Sequence, residues 1–412
     1  MDLDPAKINP RHLKISFRRS GDEMSRRDLL FGLIRPQYEV VPAVEEEQCR
    51  AWRGCSLCIA SCPAEAISLN EGSASIDKDK CTACGACLPS CPEEAITSPL
   101  LNPEVLDDLL QPLLWRGEGD PRPKVLVISS EDSDTLHETT TRPLSPELLE
   151  LRLPCIGALS PWLLLRSFDL GADGVVVIPC GSTCRHRCQP DRWQRTIRFV
   201  QALLVKLGIE PERLKVFSFS REEPQSLTDL SRAFVEQVKQ IGPSRLRNGN
   251  GQEKHLTLLA LLKDLSRRFR VDGSLCGDTI PFGIVTATTG DRTCTLCGAC
   301  PERCPTGAIT LQEGAELSQL LFDHGRCIAC EACVQVCPER VLGMERALDF
   351  SRLGETTILA EDRMAPCREC GKPIAPVNMI RRMQDQMAAG KVSAWSGLSE
   401  LCPDCRIFGR LA

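Results

Sequence analysis

Between about residues 121 and 245 the chain alternates two kinds of apolar pattern. The short runs Lys124 to Ser129, Glu150 to Leu153, Gly174 to Ile178 and Leu214 to Ser218 have strand length, whereas Trp162 to Leu170, Asp191 to Leu207 and Leu227 to Ile241 place apolar residues three to four apart. Strand alternating with helix predicts a parallel sheet covered by helices on both faces. Two further segments are shorter. Ala66 to Asp77, turning at Asn70, Glu71 and Gly72, and Ala308 to Asp323, turning at Glu313 and Gly314, read as hairpins too small to bury much of a core by themselves.

What surrounds those hairpins is cysteine. Of the 25 cysteines, 24 fall into six groups of four. Four groups follow C-x2-C-x3-C-P or a near variant: Cys49, Cys55, Cys58, Cys62; Cys81, Cys84, Cys87, Cys91; Cys294, Cys297, Cys300, Cys304; and Cys327, Cys330, Cys333, Cys337. Thiolates two residues apart in a tight loop face one cubane, and the fourth, ahead of Pro63, Pro92, Pro305 or Pro338, reaches the cluster of the partner motif. The expected ligand sets are therefore crossed. Cys49, Cys55, Cys58 and Cys91 hold one 4Fe-4S cluster, and Cys62, Cys81, Cys84 and Cys87 the second. Cys294, Cys297, Cys300 and Cys337 hold the third, and Cys304, Cys327, Cys330 and Cys333 the fourth. A disulfide framework or a set of structural zinc sites is the competing reading of so many cysteines, and a 412-residue chain without a secretory signal favours neither. Cys81 to Thr97 matches Cys294 to Thr310 at 11 of 17 positions, so two modules resembling dicluster ferredoxins flank a different middle. Only the first motif is irregular. It holds Arg50 to Gly54 where two residues are usual, which suggests that Trp52 and the arginines tune or shield that cluster.

Two more cysteine groups remain. Cys155 follows the second predicted strand, and Cys180, Cys184 and Cys188 follow the third, which places four thiols at the carboxyl edge of a parallel sheet, where ligands collect. A fifth iron-sulfur site is the leading reading, with zinc or buried free thiols as alternatives. His186 in the same basic loop reads as a solvated side chain rather than a ligand. The C-terminal group, Cys367, Cys370, Cys402 and Cys405, has the paired knuckles of a zinc ribbon around a predicted helix at Val377 to Ala389, and suits one zinc or one iron. Cys276 stands alone and reads as structural.

Composition narrows the function. The net charge is -5 and aromatics make up 4%, so no basic, aromatic stripe marks a nucleic-acid surface. No apolar stretch approaches a membrane span. Ser25 to Leu30 imitate a twin-arginine export motif but lack the apolar run an export signal needs, which leaves a cytoplasmic location as the expectation. The basic stretch from Arg11 to Arg27 is either a docking arm or a solvated one. Nucleotide-binding glycine fingerprints, phosphate loops and nucleophile elbows are missing. The expectation is a relay of single electrons and no chemistry on an organic substrate. A catalytic centre at the middle cysteine site, or a redox-sensing nucleic-acid binder using the zinc ribbon, are the alternatives.

The stretches L-P-C-I-G-A-L-S-P, G-A-D-G-V-V-V-I-P-C and L-G-I-E-P-E-R-L, within residues 122 to 245, resemble the delta subunit of methyl-viologen-reducing hydrogenase. The resemblance implies a 2Fe-2S cluster and electron passage between redox protein subunits: a hydrogenase or formate dehydrogenase on one side, a flavoprotein of heterodisulfide reductase type on the other. This chain departs from the family in carrying Ser129 and Ser130 where a C-x2-C is common, and in adding Cys188. The predicted architecture is α/β and multidomain: a basic arm (1-44), a dicluster ferredoxin module (45-100), a flavodoxin-like α/β domain (121-245), a helical linker (246-287), a second ferredoxin module (288-345) and a small zinc ribbon (360-412). Prolines between Pro99 and Pro123 mark a further linker.

Overall fold

The computed structural model describes residues 13-15, 36-38, 41-114, 122-130, 147-180, 184, 186, 190-217, 227-247, 254-288, 293-389 and 400-408. Cys188, the export-like Ser25 to Leu30 and most of the basic arm lie outside them. Two compact units divide the chain, Met1–Arg270 and Val271–Ala412.

In the first unit, β1 (Leu13–Ile15) pairs with β2 (Pro36–Tyr38), and β3 (Ala43–Val44), ahead of the first two motifs, pairs with β6 (Ile96–Thr97), which follows them. Between them lie the short α1 (Leu57–Ser61) and the predicted hairpin of β4 (Ile67–Asn70) and β5 (Ser73–Ile76). Its two-residue turn needs positive φ twice, and Glu71 (φ 48) and Gly72 (φ 87) supply it. The core here is thin: Cys58, Ile67, Ala74, Cys87 and Ile96. Two of those five are cysteines, so the module's folding depends on what its thiols bind.

The chain then enters α2 (Pro103–Leu114) where a linker was expected. Leu106, Leu110 and Leu114 recur at four-residue spacing and are buried, and Asp107 on the next row is fully buried too. The middle sheet follows as predicted. Strands β7 (Val125–Ser130), β8 (Leu148–Leu153), β9 (Gly174–Ile178) and β10 (Leu214–Val216) form an all-parallel sheet in the order β10-β9-β7-β8. Every residue of β7 and β9 is buried, which explains runs that are apolar without alternation. Its helices are α3 (Pro161–Asp169), α4 (Pro190–Lys206) and α5 (Leu227–Ile241), followed by α6 (Leu258–Phe269). Ser160 caps α3 by accepting the Leu163 N–H at 3.1 Å, with Pro161 in the first turn. Phe234, Val235 and Val238 of α5 pack on Val125, Val127, Val176 and Ile178. Gly174 makes that approach feasible, since a Cβ there would stand 2.8 Å from Val238.

A buried charge network joins α2, α3 and α6. Arg166, 1% exposed, donates to Asp107 at 2.6 Å and to Asp169 at 2.5 Å; Arg268 pairs with Asp169 and, at 2.7 Å, with Asp264. The segment after the first ferredoxin motifs is thereby fastened to the middle domain.

In the second unit, β11 (Ser274–Cys276) and β12 (Gly283–Ala287) occupy part of the segment predicted as a helical linker. Beyond α7 (Ala299–Arg303), the predicted hairpin forms as β13 (Ile309–Glu313) and β14 (Leu317–Asp323). After α8 (Ala332–Val336), β15 (Leu342–Asp349) pairs with both β11 and β12. The eleven-residue β16 (Thr356–Pro366) adds to β14 and then pairs with β17 (Pro373–Pro376), so the C-terminal cysteines grow out of the ferredoxin hairpin's own sheet. The helix at Val377–Ala389 is α9, and α10 is Pro403–Phe408. His324, 1% exposed, bridges strands: the Asp349 N–H donates to Nε2 at 2.9 Å, so Nδ1 carries the proton and donates to Gly283 O at 2.9 Å. Burial holds its pKa below the usual histidine value, consistent with a neutral ring.

Removing one partner of a buried ion pair leaves an uncompensated charge, at a cost of about 3 kcal/mol or more. Asp107→Ala is therefore expected to destabilise the first unit by about 3 kcal/mol, seen as a lower urea midpoint for Trp162 fluorescence. Asp108→Ala, which loses an exposed pair with Lys254, should leave that midpoint unchanged.

Candidate iron-sulfur and metal centres

The ferredoxin-type loops share one backbone device. The second and fourth residues after the leading cysteine are left-handed in three of the four motifs: Ala83 and Gly85, Leu296 and Gly298, Ala329 and Glu331. The third residue after each closing cysteine is left-handed in all four: Glu65, Glu94, Gly307 and Arg340. These reversals wrap the chain and aim amides at sulfur. Ala83 N–H donates to Cys81 Sγ at 3.4 Å, Ala66 to Cys62 at 3.3 Å, Ala95 to Cys91 at 3.2 Å, Ala74 to Cys49 at 3.4 Å and Leu296 to Cys294 at 3.4 Å. Such bonds set the potential of a cluster held there.

Cysteines from the two motifs of each pair meet. Cys49, Cys55, Cys58 and Cys91 line one cavity; Cys294, Cys297, Cys300 and Cys337 another; Cys304, Cys327, Cys330 and Cys333 a third. Cys87 feels Cys84, Cys81 and Cys62 as its charged neighbours, which gathers the remaining four. Their spacing is too wide for a single ion, and the described cysteines form no disulfide. The donors fit a multi-iron group. Burial, reinforced by neighbouring thiolates, pushes Cys58 and Cys333 up to about 11 and Cys87, Cys300 and Cys327 to about 12. Without metal these thiols stay protonated at neutral pH, so loading expels protons. In the first motif Arg50 lines the cavity and pairs with Glu93 at 3.5 Å, whereas Trp52 is 60% exposed beneath the Arg53 guanidinium and is not among the residues that line it.

The middle site lies at the carboxyl edge of the parallel sheet. Cys155 follows β8 and is 1% exposed, its Sγ accepting the Gly157 N–H at 3.3 Å. Cys180 follows β9, beside Cys184 and beside Ser130 at the end of β7; burial, then Cys184, lifts its thiol to about 11. Cys184 links the other two, lying beside Cys180 and packing against the cluster that holds Cys155, and Cys188 lies outside the described residues. His186 corrects the sequence reading. It is 7% exposed rather than solvated, with Nδ1 3.1 Å from Thr82 Oγ1 of the first ferredoxin module.

The C-terminal four differ in scale. All four sulfurs of Cys367, Cys370, Cys402 and Cys405 lie within 4.8 Å of one another, with Cys370 and Cys402 at 3.6 Å. Tetrahedral zinc-thiolate geometry places sulfurs about 3.8 Å apart. The Cys402 N–H, 3.3 Å from Cys367 Sγ, heads the causes that pull that thiol down to about 6, so one ligand is ionised before metal arrives. Cys276 is exposed at the end of β11.

Comparison with known proteins then bears on the middle segment. The family described as methyl-viologen-reducing hydrogenase, delta subunit, matches residues 130–242; a 4Fe-4S binding domain matches 74–97 and a 4Fe-4S dicluster domain 293–341. The vhu iron-sulfur subunit of an F420-non-reducing hydrogenase from Methanocaldococcus jannaschii is 30% identical over 98 residues, which are 24% of this chain and 73% of the relative. The chain belongs to the methyl-viologen-reducing hydrogenase delta-subunit family. The corresponding vhc iron-sulfur subunit from Methanococcus voltae, at 29% over 108 residues, covers 26% of this chain and 75% of the relative. One subunit of the ferredoxin:CoB-CoM heterodisulfide reductase from Methanosarcina mazei is 24% identical over 94 residues, 23% of this chain and 12% of that larger protein. The delta-subunit match spans β8 to α5, and so includes Cys155, Cys180 and Cys184.

Sequence reasoning passed over the Thr82–His186 contact, for which no spacing rule exists. It also passed over Asp107, although the leucine spacing around it signals a buried helix. At the C-terminal site, Cys402→Ser is expected to remove one metal ion per chain in elemental analysis, and Cys276→Ser to remove none.

Proposed function

We propose that this delta-subunit family member is the electron-transfer subunit of a cytoplasmic oxidoreductase complex. Its four crossed cysteine sets would hold four 4Fe-4S clusters; Cys155, Cys180, Cys184 and Cys188 a 2Fe-2S cluster; and Cys367, Cys370, Cys402 and Cys405 a zinc in a ribbon built on β16 and β17. The proposed partners are a hydrogenase or formate dehydrogenase and a flavoprotein of heterodisulfide reductase type; the relatives named as hydrogenase and heterodisulfide reductase subunits support redox subunits of those two kinds. The two ferredoxin modules, the middle domain and the ribbon keep the bounds read from the sequence, while the 246-287 segment is shared between the two units; the 121-245 segment is flavodoxin-like. Its strand order, second-first-third-fourth along the sheet, is the flavodoxin order as far as it runs.

The observation that carries this reading is the crossing itself. The last cysteine of each motif stands with the first three of its neighbour, the arrangement a pair of cubanes requires. Bound there, such clusters supply one-electron transfer. The chain's residues supply the rest: Val44, Ala74 and Ile96 keep water off the first site, and backbone amides at the sulfurs set the potential.

Anaerobic purification from the native host tests this. About 18 irons per chain, four centres of four and one of two, are expected, with one zinc and with redox subunits bound. A lone chain with far fewer irons would overturn the relay.

A further inference from the structure

We propose that the loop Cys81 to Cys87, docked on the turn after Cys155, is the junction at which the first ferredoxin module and the middle domain exchange electrons. The inference rests on reading Cys155, Cys180 and Cys184 as ligands of an iron-sulfur centre. Cys84 and Ala86 share one apolar cluster with Cys155, with Cys184 packed against it. Cys84 is 7% exposed, Ala86 4% and Cys155 1%, so cysteines of two different sites pack together away from bulk water. Gly85, left-handed at φ +75, makes the approach close: a Cβ there would run into Leu101 and stand 3.0 Å from Ala158. Two polar clamps hold the docking. Thr82 meets His186 beside Cys184, and the Asp107–Arg166 pair fastens the helix that leaves the module.

The second module serves as an internal control. Its loop Cys294 to Cys300 repeats C-T-x-C-G-A-C, and Gly298 is also left-handed at φ +78. Yet Cys297, the counterpart of Cys84, is exposed, and a Cβ on Gly298 would meet only Leu311, at 3.8 Å. Burial of Cys84 therefore comes from docking and not from the motif. Electron exchange weakens steeply with the gap between centres, so direct ligand-to-ligand packing marks the favoured path. One electron leaves the centre held by Cys62, Cys81, Cys84 and Cys87 as one arrives at the centre held by Cys155, Cys180 and Cys184, or the reverse. One site is oxidised, the other reduced, and no bond changes.

The test is low-temperature EPR with iron analysis on the full-length, cluster-loaded chain, reduced with dithionite. The two centres of the first module couple to each other in any case, so the readout is the additional broadening that Cys155→Ser removes. The expected result is loss of iron confined to the middle centre and loss of broadening on one first-module signal, with the second module's signals unchanged. Ala158→Leu, which wedges the two surfaces apart without touching a ligand, should keep all its iron and show weaker broadening. If that variant fails to load, Thr82→Val provides the same comparison. Iron lost in Cys155→Ser with every first-module signal unchanged, or full broadening in the wedge variant, would overturn the junction while leaving the middle centre standing. No iron lost in Cys155→Ser would overturn the centre, and the junction with it.

Discussion

Thiolates held out of water without a counter-charge are unstable, and most of this molecule is arranged around that constraint. The cysteines supply part of the hydrophobic core of each ferredoxin module, yet burial drives their thiols toward protonation, to about 12 at Cys87, Cys300 and Cys327. The backbone adds a second cost. Among the described residues, seven of the nine non-glycine ones with positive φ lie in the motif loops, Glu65, Ala83, Glu94, Leu296, Ala329, Glu331 and Arg340, and each costs on the order of 1 kcal/mol. A metal group that takes four thiolates offsets both costs together. Loop conformation, burial and metal content are thus one cooperative property.

The middle domain meets a different constraint by ordinary means. Its sheet has a core of Val, Ile, Leu and Phe that excludes water without any metal, so it is a firm platform on which Cys155, Cys180 and Cys184 can be placed at strand ends. The platform also fixes what is attached to it. Arg166 sits among Asp107, Asp169 and the reach of Arg268, and each acid is useful only while the helix that carries it stays in place. Buried charge of this kind adds little net stability but rejects other arrangements of α2, α3 and α6. The distance between a cysteine loop in the ferredoxin module and a turn in the sheet domain is held by that selectivity.

Much of this was legible in the sequence because it rests on local periodicity or on ligand spacing. The strands at Gly174–Ile178, the helices at Leu227–Ile241 and Val377–Ala389, both ferredoxin hairpins and the meeting of cysteines from paired motifs all have a signal within a few residues of one another. What escaped depends on partners distant in sequence. Asp107 lay in a proline-marked segment read as a linker, and its partner Arg166 is 59 residues away. His186 looked solvated in a run of arginines until Thr82, 104 residues earlier, was brought against it. Strand β12 looked like part of a helical linker because its pairing partner, β15, begins 55 residues after Ala287. Cys188 lies beyond the described residues, so its place in the proposed middle site rests on sequence alone.

The two ferredoxin modules show why motif identity stops short of function. Eleven of 17 positions agree between Cys81–Thr97 and Cys294–Thr310, and the left-handed glycine recurs in both. The ligands are alike, yet one loop is sealed beneath Ala158 and Leu101 while the other leaves Cys297 open to solvent. Solvent stabilises the more highly charged, reduced form of a cluster, and sealing withdraws that help, so exposure alone separates the potentials of equal ligand sets. A chain that duplicates one cofactor-binding unit gains a potential difference, and with it a direction, only when the copies are packed differently. Here the packing differs through side chains outside the motif: an alanine and a leucine crowd one glycine, and Leu311 stands 3.8 Å from the Cβ position of its twin.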